Sequence, residues 1–498
     1  MNKNSSEIIK QIKEEDSEFW SGIQEKKSLE LFHQAYLSVP AYSSFLNKRK
    51  VNAEKVLSWD DFKKVPLTSK KDYLRNYSLE KLSWEGNLKK PLVFTSTSGS
   101  TGEPFYFMRA NELDWQYSVL IEEYLKNNIA KNDSPTLVVI GFGMGIWIGG
   151  LITYKAFEIA SIRLNYPLSI ITPGINKKEI FNILKNLSPH FKNVILVGYP
   201  PFIKDIIDEA PLSGVNLNKF NLRLLFAAEA FTESFRDYLA EKSKIKNVYL
   251  DTMNIYGTAD IGAMAYETPL SILIRRICIK NTLLFQDIFG SINKTPTLAQ
   301  FNPMFVNFEA VNGNIVLTGN NSIPLIRYSV GDHGGVYTYK EINEILRKHN
   351  IDILKEAKNA GILESLNQLP FVFVFERNDF SVTLYGLQIY PEIIRETVLE
   401  EPFSEFLTGK FTLVTKFSKK QNQYLEINIE MKKNIDGIPH LIEKKLLKQI
   451  VINLRHKNSE FRELSNYLKN RANPKLVFWK SEDPEHFKVG TKQKWAKK

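Results

Sequence analysis

The chain has 498 residues, of which 43% are hydrophobic and 24% are charged, and its 66 Lys and Arg against 55 Asp and Glu give a formal net charge of +11. This composition excludes a disordered protein, the length allows several domain-sized units, and the charge favours anionic partners. The single cysteine, Cys278, excludes an internal disulfide and a cysteine-based zinc site, so we expect a reducing compartment, the cytoplasm.

The N-terminal part is predicted to be helical. Residues 1–20, MNKNSSEIIKQIKEEDSEFW, are polar and acidic and lack an apolar core, which argues against a signal peptide. A further helix is predicted to begin at Ser58, an N-cap candidate with Asp60 and Asp61 in the first turn behind it.

One uncharged segment has the length of a membrane span. Residues 135–154, PTLVVIGFGMGIWIGGLITY, match the roughly 20 apolar residues that a bilayer requires. Five glycines interrupt it, and the aliphatic run 137–140 stops at Gly141. We therefore interpret it as a buried strand, a glycine-rich turn and a helix through LITYKAFEIASI, and expect no integral membrane segment.

From Pro91 onward, short β-branched runs alternate with helical segments, which predicts an α/β architecture with buried strands. The runs are LVFTST, PTLVVIG, NVILVG, LRLLFAA, VYLDTMNIYG and IVLTG, and the helical segments include KEIFNILKNLSPHF and FTESFRDYLAEKS. After about Arg377 the pattern changes to a hairpin (FTLVTKFSKKQNQYLEINIEM), an amphipathic helix (IPHLIEKKLLKQIVINLRHK) and a last strand (PKLVFWKS). That composition is typical of a small α+β domain.

A serine- and glycine-rich loop follows the first of these strands. Its backbone N–H groups and hydroxyls can hold phosphate oxygens, although an ordinary turn is the alternative. The Gly-Lys-Ser/Thr ending of a Walker loop is absent. The loop consists of Thr97, Ser98, Gly99, Ser100, Thr101 and Gly102, followed by Glu103.

Other polar segments also lie at predicted strand ends, where open α/β sheets bind their ligands. They are 226–230 (FAAEA), 254–260 (NIYGTAD), 324–332 (PLIRYSVGD), 377–379 (RND) and 385–391 (YGLQIYP). In this order they resemble the acyl-adenylate-forming (AMP-dependent synthetase/ligase) superfamily, in particular its phenylacetate–coenzyme A ligase-like branch. The likeness extends from about Ser38 to the C-terminus.

The resemblance implies a large multi-layer N-terminal domain with mixed sheets (1–376), a hinge (377–379) at Asp379, and a small mobile α+β C-terminal domain (380–498). It also implies ATP and Mg²⁺ as cofactors. The loop would hold the β- and γ-phosphates, although Glu103 stands where the branch usually has Lys. Ala228, Glu229 and Ala230 would form the adenine wall.

The remaining nucleotide contacts are implied by the same likeness. Tyr256, followed by Gly257 and Thr258, would stack on adenine, and Asn254 would bond its edge. Asp332 and Arg377 would bind the ribose, with Arg377 also able to meet phosphate. Ala259 and Asp260 replace the usual Ser/Thr-Glu, and Asp260 remains a suitable oxygen ligand for Mg²⁺.

At the C-terminus, the family's lysine that bridges the attacking carboxylate and the α-phosphate aligns with Lys492, with Lys494 as the second choice. A solvated basic tail is the other interpretation. An acyl pocket is expected at Phe142, Met144, Trp147, Tyr199 and Phe202, although these side chains could equally be core. Cys278, in the strand-like run LIRRICIK, is expected to be buried, which disfavours transfer through a cysteine.

The sequence thus predicts a ligase that adenylates a carboxylic acid, aromatic in one reading, and passes the acyl group to a thiol, coenzyme A. Transfer to an amine is one alternative, and a non-catalytic basic module binding nucleic acid or membrane is another. Against the last, residues 380–498 carry 22 Lys and Arg against 14 Asp and Glu, or +8 of the total +11. The charge is therefore concentrated on the small domain. We expect no nucleic-acid partner, and a homodimer is compatible with the sequence.

Overall fold

A mixed sheet of eleven strands runs through the part of the chain that the computed structural model describes. That part comprises residues 4–90, 92–96, 105–128, 134–144, 148–228, 230–290, 295–375, 382–384, 387–417, 423–488 and 495–497.

The described helices are α1 (Ser5–Glu14), α2 (Ser17–Ser38), α3 (Pro40–Lys48), α4 (Trp59–Phe62), α5 (Leu79–Leu82), α6 (Asn111–Asn128), α7 (Ile148–Leu164), α8 (Lys177–Asn186), α9 (Pro200–Glu209), α10 (Glu233–Ser243), α11 (Val248–Asp251), α12 (Pro269–Lys280), α13 (Thr282–Phe289), α14 (Tyr339–Lys348), α15 (Ile353–Asn359), α16 (Pro391–Leu399), α17 (His440–Lys457) and α18 (Ser459–Leu468).

The described strands are β1 (Val93–Ser96), β2 (Tyr106–Arg109), β3 (Thr136–Gly141), β4 (Leu168–Ile171), β5 (Asn193–Gly198), β6 (Asn221–Ala227), β7 (Thr252–Thr258), β8 (Gly262–Tyr266), β9 (Thr297–Gln300), β10 (Val306–Val311), β11 (Asn314–Gly319), β12 (Leu325–Tyr337), β13 (Phe371–Phe375), β14 (Val382–Leu384), β15 (Leu387–Ile389), β16 (Leu407–Phe417), β17 (Gln423–Met431), β18 (Lys475–Trp479) and β19 (Ala496–Lys497).

The large sheet has the order β10-β11-β12-β13-β9-β8-β7-β6-β5-β3-β4. Its half from β4 to β7 is parallel, and its half from β7 to β10 is antiparallel. Alternate residues of the parallel strands enter different hydrophobic clusters: Val138 and Ile195 lie in one, Val139 and Leu196 in the other. Both faces are therefore covered, which explains the near-continuous apolar runs in these strands.

Helices α1 to α3 pack on the first cluster, as the helical prediction for the N-terminus requires. Ser58 does form a capping box with Asp61, but the helix behind it, α4, ends at Phe62 after only four residues. The signal at Ser58 was correct for the start of a helix and carried no information on its length.

The uncharged segment 135–154 contains the buried strand β3 and the first turns of α7, as interpreted from its glycines. Within the described ranges, no helix combines the length and the apolar character that crossing a membrane requires.

The described residues from Val382 onward, here called the C-terminal unit, have a separate hydrophobic core and a sheet ordered β18-β17-β16-β19. The hairpin β16–β17, the helix α17 and the strand β18 correspond to the elements predicted from the sequence. The α/β class with mixed sheets is confirmed. The hinge 377–379 lies outside the described residues, so the domain boundary and the mobility of the C-terminal unit remain predictions.

Two local predictions were wrong. Cys278 lies in helix α12, not in a strand, because the capping box at Thr268 and the proline at position 269 start a helix whose buried face includes Cys278. The segment VYLD is also helical (α11), since Asn247 caps it, and the strand begins only at Thr252. Burial of Cys278 is confirmed and raises the pKa of its thiol to about 12.

Candidate active site

The parallel strands end together at one edge of the large sheet. Gly141 at the end of β3 is in register with Gly198 of β5, which is in register with Phe226 of β6. Ala227, next along β6, pairs with Ile255 of β7. The segments that were singled out by sequence after β3, β5, β6 and β7 are thereby brought to a common edge.

Tyr256 and Asp332 come from different strands of the sheet and meet at this edge. The Tyr256 hydroxyl donates a hydrogen bond of 2.6 Å to Oδ2 of Asp332. Asp332 is 7% exposed, and the Tyr256 ring lies 6.2 Å from that of Phe308, measured between centroids. An aromatic ring joined to a carboxylate can serve a purine and the diol of its ribose at the same time.

A buried ionic network supports strand β7 from behind. The backbone N–H of Asn254 donates to Oε2 of Glu267 at 3.1 Å, and Arg236 binds the same carboxylate at 2.7 Å. Arg236 also pairs with Glu233, and Arg275 bridges both glutamates. Burial raises the pKa of Glu233, but Arg236, Arg275 and the neighbouring arginine at 276 outweigh it and hold the pKa at about 2. Glu233 therefore stays charged at neutral pH, and the network fixes the backbone beside Asn254 and Tyr256.

Asp260, at the turn after β7, is 6% exposed and has two partners. Oδ2 accepts a hydrogen bond of 2.7 Å from the Tyr328 hydroxyl, and Oδ1 lies 3.5 Å from Nζ of Lys70. Lys70 is held there because Thr68 pairs with strand β12 beside Tyr328. The same ammonium lies 5.5 Å from the ring of Phe107, in the strand that follows the serine- and glycine-rich loop.

Asp260 fits the Mg²⁺ that the resemblance implies. Magnesium is usually bound by one or two carboxylates together with substrate phosphates and water. Among the described residues, no group of three or more His, Cys, Asp or Glu side chains gathers into a metal site. Asp260 supplies one carboxylate of this kind, with Oδ1 3.5 Å from the Lys70 ammonium.

The predicted acyl pocket is more closely packed than its glycines suggested. The ring of Phe142, 1% exposed, meets that of Tyr199 edge-on at 5.0 Å between centroids. Phe202 is 8% exposed and would lie 3.0 Å from a Cβ at Gly141. A Cβ at Gly150 would be only 2.5 Å from the Met144 sulfur. Here glycine allows close packing of the turn on helix α7.

The comparisons with known proteins agree with this geometry. No family model matches the chain. It is 21% identical over 375 residues to a phenylacetate–coenzyme A ligase of Aromatoleum evansii, covering 74% of this chain and 72% of that protein. Among solved structures, 2-hydroxyisobutyryl-CoA ligase in the postadenylation state with 2-HIB-AMP matches with a TM-score of 0.65 and 14% identity, over 98% of this chain and 90% of that one. The chain has the fold of the acyl-adenylate-forming ligases.

A second structure with this ligase fold is an acyl acid amido synthetase in complex with 2,4-DB, with a TM-score of 0.61, 12% identity, and coverage of 99% of this chain and 94% of that one. The likeness to the acyl-adenylate-forming superfamily that the motifs indicated is thus confirmed. Because ligases of this fold transfer acyl groups to different acceptors, the fold alone does not select the acceptor.

Of the nucleotide residues expected from the motifs, the structure places Asn254 and Tyr256 on β7, Asp260 at the turn between β7 and β8, and Asp332 on β12 of the same sheet. Ala228 and Ala230 flank the end of β6, and Ala228 has a left-handed φ of 75°. Gly257 and Thr258 end β7, where a Cβ at Gly257 would lie 2.6 Å from the Gly262 carbonyl oxygen.

Other expected residues lie outside the described part of the chain. They are Thr97, Ser98, Gly99, Ser100, Thr101, Gly102, Glu103, Trp147, Glu229, Arg377, Asp379, Lys492 and Lys494. Their roles stay predictions.

Sequence reasoning missed Lys70 and Tyr328, both of which contact Asp260. Tyr328 stands in the singled-out segment PLIRYSVGD, so its place in that segment was the available signal. Lys70 lies 190 positions from Asp260 in an unremarkable polar stretch, TSKKDYL, and only the pairing of Thr68 with β12 brings it to the site.

Proposed function

We propose that this chain activates a carboxylic acid with ATP and transfers the acyl group to coenzyme A. The observation that carries the proposal is the joining of Tyr256 to Asp332 beside the buried Asp260, at the edge where the parallel strands end. An aromatic ring, a diol acceptor and a metal-binding carboxylate in this order fit adenine, ribose and phosphate respectively.

In the first half-reaction, a carboxylate oxygen of the acid attacks the α-phosphorus of ATP. The bond from the α-phosphorus to the oxygen bridging to the β-phosphate breaks, and pyrophosphate leaves. Asp260 would hold Mg²⁺, which supplies positive charge to the phosphate oxygens. Lys70, beside Asp260, would add a second positive charge for the phosphates, and Lys492 would bridge carboxylate and α-phosphate.

In the second half-reaction, the thiol of coenzyme A attacks the acyl carbonyl and loses its proton, the bond to the AMP oxygen breaks, and thioester and AMP are released. The curated relative named phenylacetate–coenzyme A ligase supports this acceptor. The structural likeness to 2-hydroxyisobutyryl-CoA ligase in its thioesterification state, with a TM-score of 0.53, also supports it. An aromatic acid is the first candidate substrate, because the rings of Phe142 and Tyr199, which follow β3 and β5 at the same edge of the sheet, contact each other.

Amide formation is the second candidate. It is supported by the TM-score of 0.61 to an acyl acid amido synthetase over 99% of this chain. An amine nitrogen would replace the thiol sulfur, and the first half-reaction would not change.

The test is carboxylate-dependent exchange of labelled pyrophosphate into ATP, with a panel of aromatic, aliphatic and hydroxy acids and a blank without acid. We expect exchange with at least one acid and none in the blank. Adding coenzyme A or amines to the best acid then identifies the acceptor from the product. Absence of exchange with every acid would contradict the proposal and favour a non-catalytic basic module.

A further inference from the structure

A cleft between the C-terminal unit and the body of the protein contains a buried arginine with free donors. The cleft is about 270 Å³, counting the open space at its mouth, and is lined by Pro200, Lys204, Phe231, Phe235, Arg395, Thr408, Gly409 and Trp495. Helices α9, α10 and α16 and strand β16 line it, together with Phe231 just before α10 and Trp495 just before β19. Both units of the structure therefore contribute to it.

Arg395 is 3% exposed, and its guanidinium lies 4.0 Å from the centroid of the Trp495 ring. Nη1 donates a hydrogen bond of 2.6 Å to the carbonyl oxygen of Ala230. Nε and Nη2 are buried and have no hydrogen-bond partner in the described structure, and no carboxylate of that structure pairs with this arginine. A buried cation with unused donors carries a desolvation penalty that an anionic ligand would offset.

Lys204 is a second cation in the lining of the cleft, and its ammonium already has hydrogen-bond partners. Its Nζ binds Oδ2 of Asp208 at 2.6 Å and also donates to the carbonyl oxygen of Thr408. Its charge is therefore compensated, and Arg395 is the described cation of the cleft that still has N–H groups to offer. Phe231 and Phe235 provide apolar walls of the cleft. Phe231 directly follows Ala230, whose carbonyl oxygen accepts the hydrogen bond from Arg395.

We propose that this cleft binds an oxyanion, carboxylate or phosphate, carried by the acceptor of the acyl group. The inference rests on the proposed function and makes it more specific. Ala230 belongs to the adenine-wall segment, so a ligand on Arg395 lies beside the nucleotide end of the site. The cleft is too small for a whole coenzyme A, and beside Arg395 it leaves room for little more than the charged group itself. A planar guanidinium with two adjacent free donors is suited to either oxyanion.

The test compares acceptors that differ only in the anion. With the acyl-adenylate formed from the best acid, product formation is measured for 4′-phosphopantetheine against pantetheine, and for glycine against glycinamide. The protein is tested as wild type, as Arg395→Gln, which keeps a donor for the Ala230 carbonyl, and as Arg395→Lys. The matched control is Arg462→Gln, on the exposed face of helix α18 in the same unit.

We expect the wild type to prefer the anionic member of one pair in kcat/KM, and Arg395→Gln to reduce that preference about tenfold or more, the size expected for a charged hydrogen bond. Arg395→Lys should keep part of the preference, and Arg462→Gln all of it. If the preference between the thiol acceptors changes in Arg395→Gln, the ligand group is a phosphate. If the preference for glycine over glycinamide changes, it is a carboxylate.

Equal loss for anionic and neutral acceptors in Arg395→Gln would show a purely structural role and overturn the inference. An unchanged preference would overturn it as well. Failure of the proposed function is a different result, since it would appear as missing pyrophosphate exchange in the wild type. In that case calorimetric titration with 4′-phosphopantetheine and pantetheine decides: tighter binding of phosphopantetheine in wild type than in Arg395→Gln supports the cleft, and equal binding contradicts it.

Discussion

Lys410 of strand β16 forms an ion pair of 2.5 Å with Asp205 of helix α9, across the contact between the C-terminal unit and the body. Glu430 lies 3.2 Å from the same ammonium within the unit. Burial lowers the pKa of Lys410, but Asp205 and Glu430 outweigh it and raise the pKa above its ordinary value. In a second ion pair between the units, Lys177 of helix α8 in the body binds Glu482 of the C-terminal unit. Charged groups of both units thus hold the C-terminal unit on helices α8 and α9.

Removal of the Lys410 charge should weaken this contact strongly. Lys410→Met leaves Asp205 and Glu430 buried without their main counter-charge, and loss of one partner of a buried pair costs about 3–5 kcal/mol. A double-mutant cycle with Asp205→Asn, followed by urea unfolding, should give a coupling energy above about 1 kcal/mol. The matched control is Lys416→Met on the same strand: the Lys416 side chain is half exposed, and its partner Glu426 retains Lys475 at 3.7 Å, so the loss should cost about 1 kcal/mol or less. Equal effects at both lysines would contradict the role of Lys410.

Asp332 and Tyr256 should determine the affinity for ATP. Asp332→Asn removes the charge that accepts the ribose hydroxyls, and we expect the KM for ATP in pyrophosphate exchange to rise at least about tenfold. Tyr256→Phe keeps the ring and loses the hydrogen bond to Asp332, so its effect should be smaller, about threefold. Tyr337→Phe is the control, because this hydroxyl also donates from β12 but to the Ile288 carbonyl, at 2.9 Å. An unchanged KM in Asp332→Asn would refute the ribose assignment.

The strands could be predicted closely because their apolar runs are continuous: NVILVG coincides with β5, and PTLVVIG contains β3. We predicted a strand at Cys278 because LIRRICIK is rich in β-branched residues. The N-cap Thr268 and the proline that follows it start a helix there instead. Segment order was enough to select Asp260 and Asp332. The partners of Asp260, Lys70 and Tyr328, reach it through long-range pairing with β12, and the Lys410–Asp205 contact arises from docking of one unit on another. Such contacts leave no local pattern.

Asp260 should set the requirement for magnesium. Asp260→Asn removes the charged ligand, so exchange should need a Mg²⁺ concentration about tenfold higher or more, and chelation of the metal should abolish exchange in the wild type. Lys70→Met should instead raise the KM for ATP and leave the magnesium requirement nearly unchanged, because its ammonium serves phosphate. The measurement is exchange rate against Mg²⁺ at fixed ATP. If Asp260→Asn and Lys70→Met raised the required Mg²⁺ concentration equally, separate roles in metal and phosphate binding would be contradicted.

Glu123 should make the stability of the protein fall as the pH rises. The carboxyl of this helix α6 residue is buried and accepts a hydrogen bond from Tyr266. Burial raises its pKa to about 7, against the lowering effects of Tyr266 and Lys13. A carboxyl with a raised pKa favours folding below its unfolded pKa of 4.5, and this contribution is lost as the pH rises through 7.

The shift corresponds to at most about 3 kcal/mol lost between pH 4.5 and 7. Urea unfolding of Glu123→Gln should therefore depend less on pH than that of the wild type, and Glu112→Gln, exposed on the same helix, should behave as the wild type. Identical pH profiles for wild type and Glu123→Gln would show that this carboxyl titrates alike in the folded and unfolded chain.

Lys492 should be required for adenylation and much less for binding of ATP. The bridge between carboxylate and α-phosphate is formed in the reaction, so Lys492→Ala should reduce exchange by several orders of magnitude, about 10³-fold, as for loss of other charge-stabilising groups. The dissociation constant for ATP, from calorimetry, should change less than about threefold. Lys494→Ala is the matched control, two residues away in the same basic stretch, and should retain most of the exchange. If Lys494→Ala loses the exchange and Lys492→Ala keeps it, the bridging role belongs to Lys494, and similar small losses in both would favour a solvated tail.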